Sequence, residues 1–438
     1  MTARIKTLTL GCKVNQYETQ LVREGLLSAG FVDAGDSEAA DLCVVNTCTV
    51  TSEGDSKGRQ AIRRLHRQNP DAKIIVMGCY ATRAPEEVAA LPGVTEVVTD
   101  KREIPDLLGR FGVIDLPTGI SGLNGRSRAY VKIQDGCLLN CTYCIIPSVR
   151  PHMYSRQPNE VLDEIRSLID HGFREVVLTG IHLGHYGVDF NRNRPRSEWT
   201  RLATLLRDLM EFEGDFRIRL SSIEATEVTN DLIAVMRDNP DRIAPHLHVC
   251  VQSGSDRILR AMGRRWNAKR IIDRCRMVAD ALDRPAFTTD VIVGFPGETD
   301  DDFQRSIDLC HEIGFSKIHV FPFSRRKGTP AAEMTNQVAP EVRAARVQQL
   351  EAVDRDLRKK YFERLGDRPL KVLVESAENG NAKGTSCRYA TVQFPFDEHS
   401  HVSTGEFCWV QPIEVDSERI VGRLVKPSHE LVSLAVEQ

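Results

Sequence analysis

The chain has 438 residues, of which 41% are hydrophobic and 27% are charged, and its formal net charge is -3. This length predicts two to three domains, and the slightly acidic charge excludes a protein that binds nucleic acid through an overall basic field. No run of about 18 apolar residues occurs, which argues against a membrane-spanning helix and predicts a cytoplasmic protein. Twelve cysteines in such a chain favour metal or redox chemistry over a disulfide scaffold.

Residues 1–122 alternate short apolar runs with amphipathic stretches. The runs RIKTLTL, DLCVVNT, KIIVMG and VTEVV are typical of buried strands, and NQYETQLVREGLLSAG and SKGRQAIRRLHRQ are typical of helices. This pattern predicts a doubly wound parallel α/β domain. Cys12, Cys48 and Cys79 each follow an apolar run, and we expect them to meet in the crevice at the carboxyl ends of the strands. The alternative is that they are small buried side chains, as free cysteine often is.

A second α/β series follows a linker rich in Gly, Ser and Asn at 118–126. Its apolar runs are RAYVKIQ, EVVLTG, FRIRLSS, HLHVCVQ, FTTDVIVGF and KIHVFPF, and they predict an open (β/α)6 partial barrel over 123–365. The segment 340–365 is predicted to be a long charged amphipathic helix that packs on this barrel. After Gly366, short alternating strands separated by Gly, Asn and Ser turns predict a small β-barrel over 366–430.

The segment QDGCLLNCTYCIIP places Cys137, Cys141 and Cys144 directly after an apolar strand. Three thiolates in the spacing C-x3-C-x2-C can hold a 4Fe-4S cluster with one iron open, and the amino and carboxylate groups of S-adenosylmethionine can fill that position. The alternative is a zinc site with His152 as a distant fourth ligand, but zinc-binding cysteines usually come in paired C-x2-C units. The spacing resembles the radical S-adenosylmethionine superfamily.

Two strand ends are candidates for contacts with S-adenosylmethionine. Gly180 ends the second strand of the barrel, where this superfamily usually meets the methionine amino group. Gly294, Gly297 and Glu298 end the fifth strand in DVIVGFPGET, and in the superfamily this region borders the adenine. Without the cysteine motif, an ordinary β–α turn would be the preferred interpretation of either segment.

Nearly the whole chain resembles the methylthiotransferase family. The motifs are LGCKVNQYET, VVNTCTVT, MGC, DGCLLNCTYCIIP, SSIEATEV, HLHVCVQSGSD, DVIVGFPGETDDDF and FPFSRRKGTPAAEM, and the last domain looks like the RNA-binding TRAM module. The resemblance implies two 4Fe-4S clusters, an auxiliary one at Cys12, Cys48 and Cys79 and a second one at the Cys137 motif. It also implies that one S-adenosylmethionine methylates a sulfur at the auxiliary cluster, while another yields a 5′-deoxyadenosyl radical that abstracts hydrogen from an unreactive carbon.

The substrate is indicated by the form of the first motif. GCKVNQYE, together with TGIHLGHYG and SSIEATEV, resembles members that act on threonylcarbamoyladenosine in tRNA. This implies methylthiolation of adenine carbon 2 at position 37, with the tRNA anticodon stem-loop as partner and with an electron donor and a sulfur donor of unknown identity. The alternatives are isopentenyladenosine in tRNA, a ribosomal protein, or a non-catalytic RNA-binding protein with structural metal sites. Pro151 stands where relatives usually have glycine, so the loop beside the second cysteine motif is expected to differ in shape.

Local basic segments are the candidate RNA contacts, because the chain as a whole is not basic. The N-terminal helix carries one such segment, which is either an RNA contact or a solvated face, and its cations are Lys57, Arg59, Arg63, Arg64 and Arg67. The cations of the helix at 340–365 are interleaved with Glu and Asp, which favours a solvated face. In the last domain Arg388, Tyr389, Phe394 and Phe396 are candidates for RNA stacking, and some of these aromatic residues are expected to be core.

Overall fold

The computed structural model describes residues 2–35, 37–115, 117–123, 125–191, 194–195 and 198–426. The N-terminal unit is a five-stranded parallel sheet with the strand order β2-β1-β3-β4-β5. Its elements are β1 (Arg4–Thr9), α1 (Lys13–Ser28), β2 (Val32–Asp33), β3 (Leu42–Thr47), α2 (Ser52–Gln68), β4 (Lys73–Gly78), α3 (Cys79–Arg83), α4 (Pro85–Ala89), β5 (Val94–Val97) and α5 (Ile104–Arg110).

Helices cover both faces of this sheet. Val44 points to the face covered by α1 and α5, whereas Cys43 and Val45 point to the face covered by α2 and α4. All six residues of β3 are buried, because a central parallel strand with helices on both sides has no solvent face. The unit is therefore doubly wound, as the sequence predicts.

The central unit is the partial barrel. Its strands lie in two four-stranded sheets with the orders β7-β6-β8-β9 and β10-β11-β12-β13, and a parallel bridge between Ile218 and Ile243 connects β9 to the segment before β11. The elements are β6 (Arg128–Asp135), α6 (Ile146–Val149), β7 (Tyr154–Ser155), α7 (Pro158–Asp170), β8 (Glu175–Gly180), α8 (Leu202–Met210), β9 (Arg217–Leu220), β10 (Ser222–Ile223), α9 (Asn230–Asp238), β11 (His246–Val249), α10 (Asp256–Ala261), α11 (Ala268–Ala281), β12 (Ala286–Val293), α12 (Asp300–Ile313), β13 (Lys317–Pro322), α13 (Pro330–Glu333) and α14 (Pro340–Glu363).

The C-terminal unit is a closed five-stranded barrel with the order β14-β15-β16-β18-β17. Its strands are β14 (Leu370–Glu378), β15 (Asn381–Ser386), β16 (Thr391–Pro395), β17 (Phe407–Val415) and β18 (Ile420–Val425). Phe394 lies in the core of this barrel with 1% exposure. Of the candidate stacking residues, it is therefore one that belongs to the core.

A buried charge cluster joins the C-terminal barrel to the central unit. Glu175 pairs with Arg217 and Arg219, and all three side chains are nearly inaccessible. Arg217 donates to the carbonyl of Lys371 at 3.0 Å, and Arg219 donates to the carbonyl of Ser386 at 3.0 Å. These guanidinium groups satisfy one carboxylate and several barrel carbonyls, which fixes the barrel against the strands β8 and β9.

The structure confirms the predicted fold class: a doubly wound α/β unit, a (β/α)6 partial barrel and a small β-barrel. All six predicted barrel runs form the strands β6, β8, β9, β11, β12 and β13, whereas β2, β7, β10 and β15 are not among the predicted strands. The domain limits at 122 and 365 fall between elements and stay a prediction, and residues 427–430 of the predicted last domain lie outside the described residues. Among the described helices, none has the length and apolar character that crossing a membrane requires.

Candidate functional site

Two left-handed glycines bring the N-terminal cysteines together. Gly11 precedes Cys12 with φ +101°, and a Cβ at this position would lie 2.8 Å from the Cβ of Cys48 and 3.1 Å from its Sγ. Gly78 precedes Cys79 with φ +96°, and a Cβ there would collide with the backbone of the strand that ends before Cys48. Glycine is required at both positions because it alone combines this φ with this close approach. The structure thus brings these three cysteines to one edge of the sheet.

The second cysteine set lies on the loop that follows β6. Cys137, Cys141 and Cys144 are free thiols, half-buried or buried, and they line one cavity of about 320 Å³. Burial, together with the neighbouring cysteine thiols, raises the pKa of Cys144 to about 12. Three thiolates at this place therefore need a cationic partner, and a metal cluster provides one.

Arg264 is the cation that the protein itself provides at this cavity. Its guanidinium lies 3.6 Å from the sulfur of Cys141, donates to the carbonyl of Cys250 at 2.9 Å and pairs with Glu224. Burial raises the pKa of Glu224 to about 7, despite the neighbouring Arg264. Glu224, Cys250 and Arg264 all line the cavity, so its wall is polar beside the cysteines.

On the opposite side of the loop, His182 contacts Cys137. Its Nδ1 lies 3.3 Å from the Cys137 sulfur, and its Nε2 lies 2.6 Å from the Glu227 carboxylate. Burial by itself would lower the pKa of His182, but the partners Cys137 and Glu227 outweigh burial and raise the pKa to about 9. The backbone N–H of Leu139 also points at the Cys137 sulfur, at 3.4 Å. Donors to such sulfurs tune the properties of a bound cluster.

The two cysteine sets lie on adjacent sides of the same interface. Cys79 packs against Ile145, which directly follows Cys144 in the chain, and against Val149 of the short helix α6. Thr51, three residues after Cys48, lines the cavity of the second set. The two cysteine sets therefore adjoin each other at this interface.

A buried ion network holds the two units in this arrangement. Arg150, which follows the short helix α6, has a side chain that is 1% exposed, and it donates to Glu18 at 2.8 Å and to Asp135 at 2.8 Å. Its Nε lies 3.5 Å from the sulfur of Cys79. Lys132 pairs with the same two carboxylates, at 2.9 and 2.8 Å. These ion pairs hold helix α1 against strand β6, next to Cys79 of the N-terminal cysteine set.

A second network lies beside Cys48. Asp55 of α2 accepts from Thr49 at 2.5 Å, from Arg83 at 2.9 Å and from Arg326 at 2.5 Å. Arg326 comes from the segment after β13, so this carboxylate also links the N-terminal unit to the barrel. Because Thr49 directly follows Cys48, the network fixes the backbone that carries this cysteine.

The predicted S-adenosylmethionine residues lie in two different environments. Gly180 ends β8, and a Cβ at this position would lie 3.0 Å from Oε1 of Gln134, so the glycine permits a close approach of the two strands. Glu298 is buried and accepts from the N–H of Gly294 at 2.8 Å and from Arg346 at 2.7 Å. Gly297 donates to a backbone carbonyl. These interactions give the second segment a structural role, and its contact with S-adenosylmethionine stays a prediction.

Two further side-chain groups among the described residues have the spacing of metal ligands. The first is formed by His182, His185 and Glu227, and the second by His248, Asp290 and His319, and within each group the ligand atoms lie within 4.8 Å of one another. The first group contacts Cys137 through His182, so it belongs to the surroundings of the second cysteine set.

The basic face of α2 is partly available. Lys57 pairs with Glu53 at 2.7 Å and Arg59 donates to the Tyr80 hydroxyl at 3.1 Å, whereas Arg63, Arg64 and Arg67 are exposed. On α14, Lys360 pairs with Asp356, and the guanidinium of Arg346 is buried against Glu298. Arg355 of α14 is also exposed, but the row of neighbouring exposed cations lies on α2.

Arg150, Glu18 and Asp135 were not predicted as site residues. The available signal was a charged pair, Lys132 and Asp135, within the strand RAYVKIQD, which is buried along most of its length, since charges in a buried strand need partners. The structure also places Cys250, which belongs to neither cysteine set, in the cavity wall.

Comparisons with known sequences match two family models. Residues 131–310 match the Radical SAM superfamily, and residues 4–100 match the Uncharacterized protein family UPF0004. The chain is 42% identical over 387 residues to the threonylcarbamoyladenosine tRNA methylthiotransferase MtaB of Bacillus subtilis (strain 168), with 84% of each chain covered. It is 35% identical over 367 residues to a tRNA-2-methylthio-N(6)-dimethylallyladenosine synthase of Carboxydothermus hydrogenoformans, with 78% of this chain and 81% of the relative covered.

Among solved structures, the fold is similar to that of the radical S-adenosylmethionine methyltransferase TsrM from Kitasatospora setae, solved with cobalamin and a 4Fe-4S cluster. The TM-score is 0.53 at 14% sequence identity, and 76% of this chain and 77% of that chain are covered. At this identity the similarity concerns the fold alone.

Proposed function

The chain belongs to the radical S-adenosylmethionine methylthiotransferase family, and we propose that it adds a methylthio group to carbon 2 of threonylcarbamoyladenosine at position 37 of tRNA. The observation that carries the proposal is the packing of Cys79 against Ile145 and Val149, next to Cys144. Two cysteine sets on adjacent sides of one interface suit a reaction in which a single carbon loses hydrogen and gains sulfur.

The cysteine sets fit two iron–sulfur clusters. Cys137, Cys141 and Cys144 line one cavity and would hold a 4Fe-4S cluster that S-adenosylmethionine completes. Cys12 and Cys79 follow left-handed glycines, and Gly11 lies against Cys48, so this trio would hold the auxiliary 4Fe-4S cluster. When bound, these groups supply the reductive cleavage of S-adenosylmethionine and the methylthio sulfur.

The chain's own residues position and tune these groups. Arg264 and the N–H of Leu139 donate toward cysteine sulfurs, and such donors shift the reduction potential of a cluster. Arg150 holds α1 against β6 and directs its Nε to the sulfur of Cys79. The apolar side chains Ile145 and Phe323 in the cavity wall exclude water from the site where the carbon–hydrogen bond breaks.

The RNA partner is proposed to contact two surfaces. Arg63, Arg64 and Arg67 form an exposed basic row on α2, in the same unit as the auxiliary cysteines. The five-stranded C-terminal barrel is proposed to be a TRAM-like module that binds the stem of the tRNA. We propose the cytoplasm as the compartment, where the tRNA substrate and reduced thiols occur together.

An anaerobic reconstitution tests the proposed function. Protein loaded with iron and sulfide is given reductant, S-adenosylmethionine and an anticodon stem-loop with either threonylcarbamoyladenosine or isopentenyladenosine. We expect about eight irons per chain, 5′-deoxyadenosine, and a methylthio nucleoside from the first stem-loop only. The control is the Cys48→Ala variant, which should keep 5′-deoxyadenosine formation and lose the methylthio product.

Two results would overturn parts of this proposal. Product from the isopentenyladenosine stem-loop alone would replace the substrate, because a relative at 35% identity is named for that nucleoside. Absence of 5′-deoxyadenosine from protein with full iron would instead favour an RNA-binding protein with structural clusters.

A further inference from the structure

A polar chamber of about 310 Å³ lies inside the partial barrel, beside the cluster cavity. The two spaces share Ser222, Asp290 and Phe321 as lining residues. The chamber wall also includes Lys13, the residue directly after Cys12. The chamber therefore adjoins the Cys137 loop on one side and the auxiliary set on the other.

The C-terminal barrel closes the chamber at one end. Tyr389, with φ +61°, stacks on His246 with ring centroids 4.4 Å apart and planes 13° apart. Arg219 lies over the same tyrosine ring, and its guanidinium is engaged by Glu175 and by barrel carbonyls. Tyr389 therefore lies across this end of the chamber, and the guanidinium of Arg219 is already bonded to Glu175 and to barrel carbonyls.

Three polar atoms facing the chamber are buried and have no hydrogen-bond partner among the described residues: Oγ of Ser221, Nδ1 of His246 and Nε2 of His248. The other ring nitrogens of both histidines lie 3.0 Å from the Thr288 hydroxyl. Nε2 of His248 also faces the Asp290 carboxylate at 3.4 Å. Buried polar atoms are normally satisfied, so three unsatisfied ones on one small chamber indicate a polar ligand.

The side chain of Lys13 indicates the charge of this ligand. It lies in the first turn of α1, is half-buried, and makes no ion pair or hydrogen bond within the described part of the chain. A partly buried ammonium without a carboxylate partner favours an anionic group. Arg128 and Arg219 also line the chamber, but both pair with Glu175, so among the described residues Lys13 is the lining cation that has no carboxylate partner.

We propose that the chamber receives the threonylcarbamoyl substituent of the substrate adenine, with Lys13 paired to its carboxylate and with Ser221 and His248 hydrogen-bonded to its hydroxyl and carbamoyl groups. This inference rests on the proposed function and extends it to the residues that select the substrate. An isopentenyl group in the same place would leave Lys13, Oγ of Ser221 and Nε2 of His248 without the polar partners that the threonylcarbamoyl group supplies. Sites built to hydrogen-bond a substituent strongly reject an analogue that lacks the polar groups.

The test changes Lys13 of the protein and the threonyl carboxylate of the substrate, first separately and then together. Wild type and the Lys13→Met variant are assayed on two stem-loops, one with the natural threonyl carboxylate and one with a carboxamide in its place. Wild type should prefer the carboxylate by about 10- to 100-fold in kcat/KM, as expected for a charged hydrogen bond. The Lys13→Met variant should lose this preference, and Lys13→Arg should restore most of it.

Two controls distinguish a change in substrate preference from damage to the iron–sulfur clusters. Iron content and 5′-deoxyadenosine formation should be unchanged in Lys13→Met, and Lys269→Met, an exposed lysine paired with Asp273, should keep the wild-type preference. If Lys13→Met loses iron, the Ser221→Ala variant is assayed in its place. Its kcat/KM on the stem-loop with the natural carboxylate should fall by about 5-fold at full iron content.

The chamber proposal is overturned if Lys13→Met keeps the wild-type ratio of kcat/KM between the two stem-loops. If Lys13→Met loses iron, the proposal is overturned when Ser221→Ala with full iron content is as active as wild type. Failure of wild type on every threonylcarbamoyladenosine stem-loop, with product from the isopentenyladenosine stem-loop, would instead remove the proposed function and this inference together. The two failures are thereby distinguishable.

Discussion

Replacement of Arg150 by methionine tests the buried network that joins the N-terminal unit to the barrel. The Arg150 side chain is 1% exposed and bonds to Glu18 and Asp135, each at 2.8 Å. The variant leaves these two buried carboxylates with Lys132 as their one remaining cation among the described residues. Removal of one partner from a buried ion network costs about 3–5 kcal/mol, because the remaining charges lose their compensation.

The pH dependence follows from Glu18. Burial by itself would raise the pKa of this carboxyl, but Arg150 and Lys132 outweigh burial and lower the pKa to about 2. Since the pKa in the unfolded chain is about 4.3, the ionised group stabilises the protein above that pH and loses its contribution as the pH falls through about 2. The stability difference between wild type and Arg150→Met should therefore be full at pH 7 and should shrink as the pH falls from about 4 toward 2.

Urea unfolding of chelator-treated protein measures this difference without a contribution from bound clusters. The midpoint at pH 7 should fall by about 1 M or more in Arg150→Met, given typical slopes of about 1–3 kcal/mol per M. Arg276→Met is the matched control, because Arg276 pairs with Glu312 at 2.8 Å but is 64% exposed, and its midpoint should hardly change. Equal midpoints for the two variants would refute the role given to the buried network.

Three other outcomes are expected. Cys137→Ala should abolish 5′-deoxyadenosine formation and reduce the iron content from about eight to about four per chain, measured by colorimetric iron assay and mass spectrometry. Asp55→Ala leaves two buried guanidinium groups uncompensated and should lower stability by about 3–5 kcal/mol in thermal unfolding, whereas exposed Asp163→Ala should change it little. Arg63→Glu should weaken binding of the stem-loop, and the slope of log K against log salt concentration should become shallower by about one unit for each lost phosphate contact. Formation of 5′-deoxyadenosine without RNA should be retained. An unchanged slope would show that the RNA binds elsewhere.

The strands that the sequence predicts are those with strong apolar runs. β3 is a mostly hydrophobic segment, since both of its faces are covered, whereas β9 and β11 alternate apolar residues with Arg or His. β15 has the sequence NAKGTS, and its inward positions are Ala382, Gly384 and Ser386. A side chain at Gly384 would collide with the carbonyl of Leu373, so the barrel requires small residues where a strand pattern would show large ones.

The meeting of Cys12, Cys48 and Cys79 could be predicted because the topology of a parallel sheet brings strand ends to one edge. The partners of Arg150 could not be predicted in the same way. Glu18 lies 132 residues away in the chain, and its pairing with Arg150 depends on how the two units dock. The chamber residues share this limitation, since Lys13 and Tyr389 come from the first and last units.

Nucleoside analysis tests the central claim most directly. Total tRNA from a strain lacking this protein is digested and analysed by mass spectrometry beside tRNA from the parent strain and from the deletion strain complemented with the wild-type or Cys48→Ala chain. If this chain is the methylthiotransferase for threonylcarbamoyladenosine, methylthio-threonylcarbamoyladenosine disappears in the deletion strain, threonylcarbamoyladenosine accumulates, and only the wild-type chain reverses both changes. A normal level of the methylthio nucleoside in the deletion strain would show that this chain does not carry out the reaction.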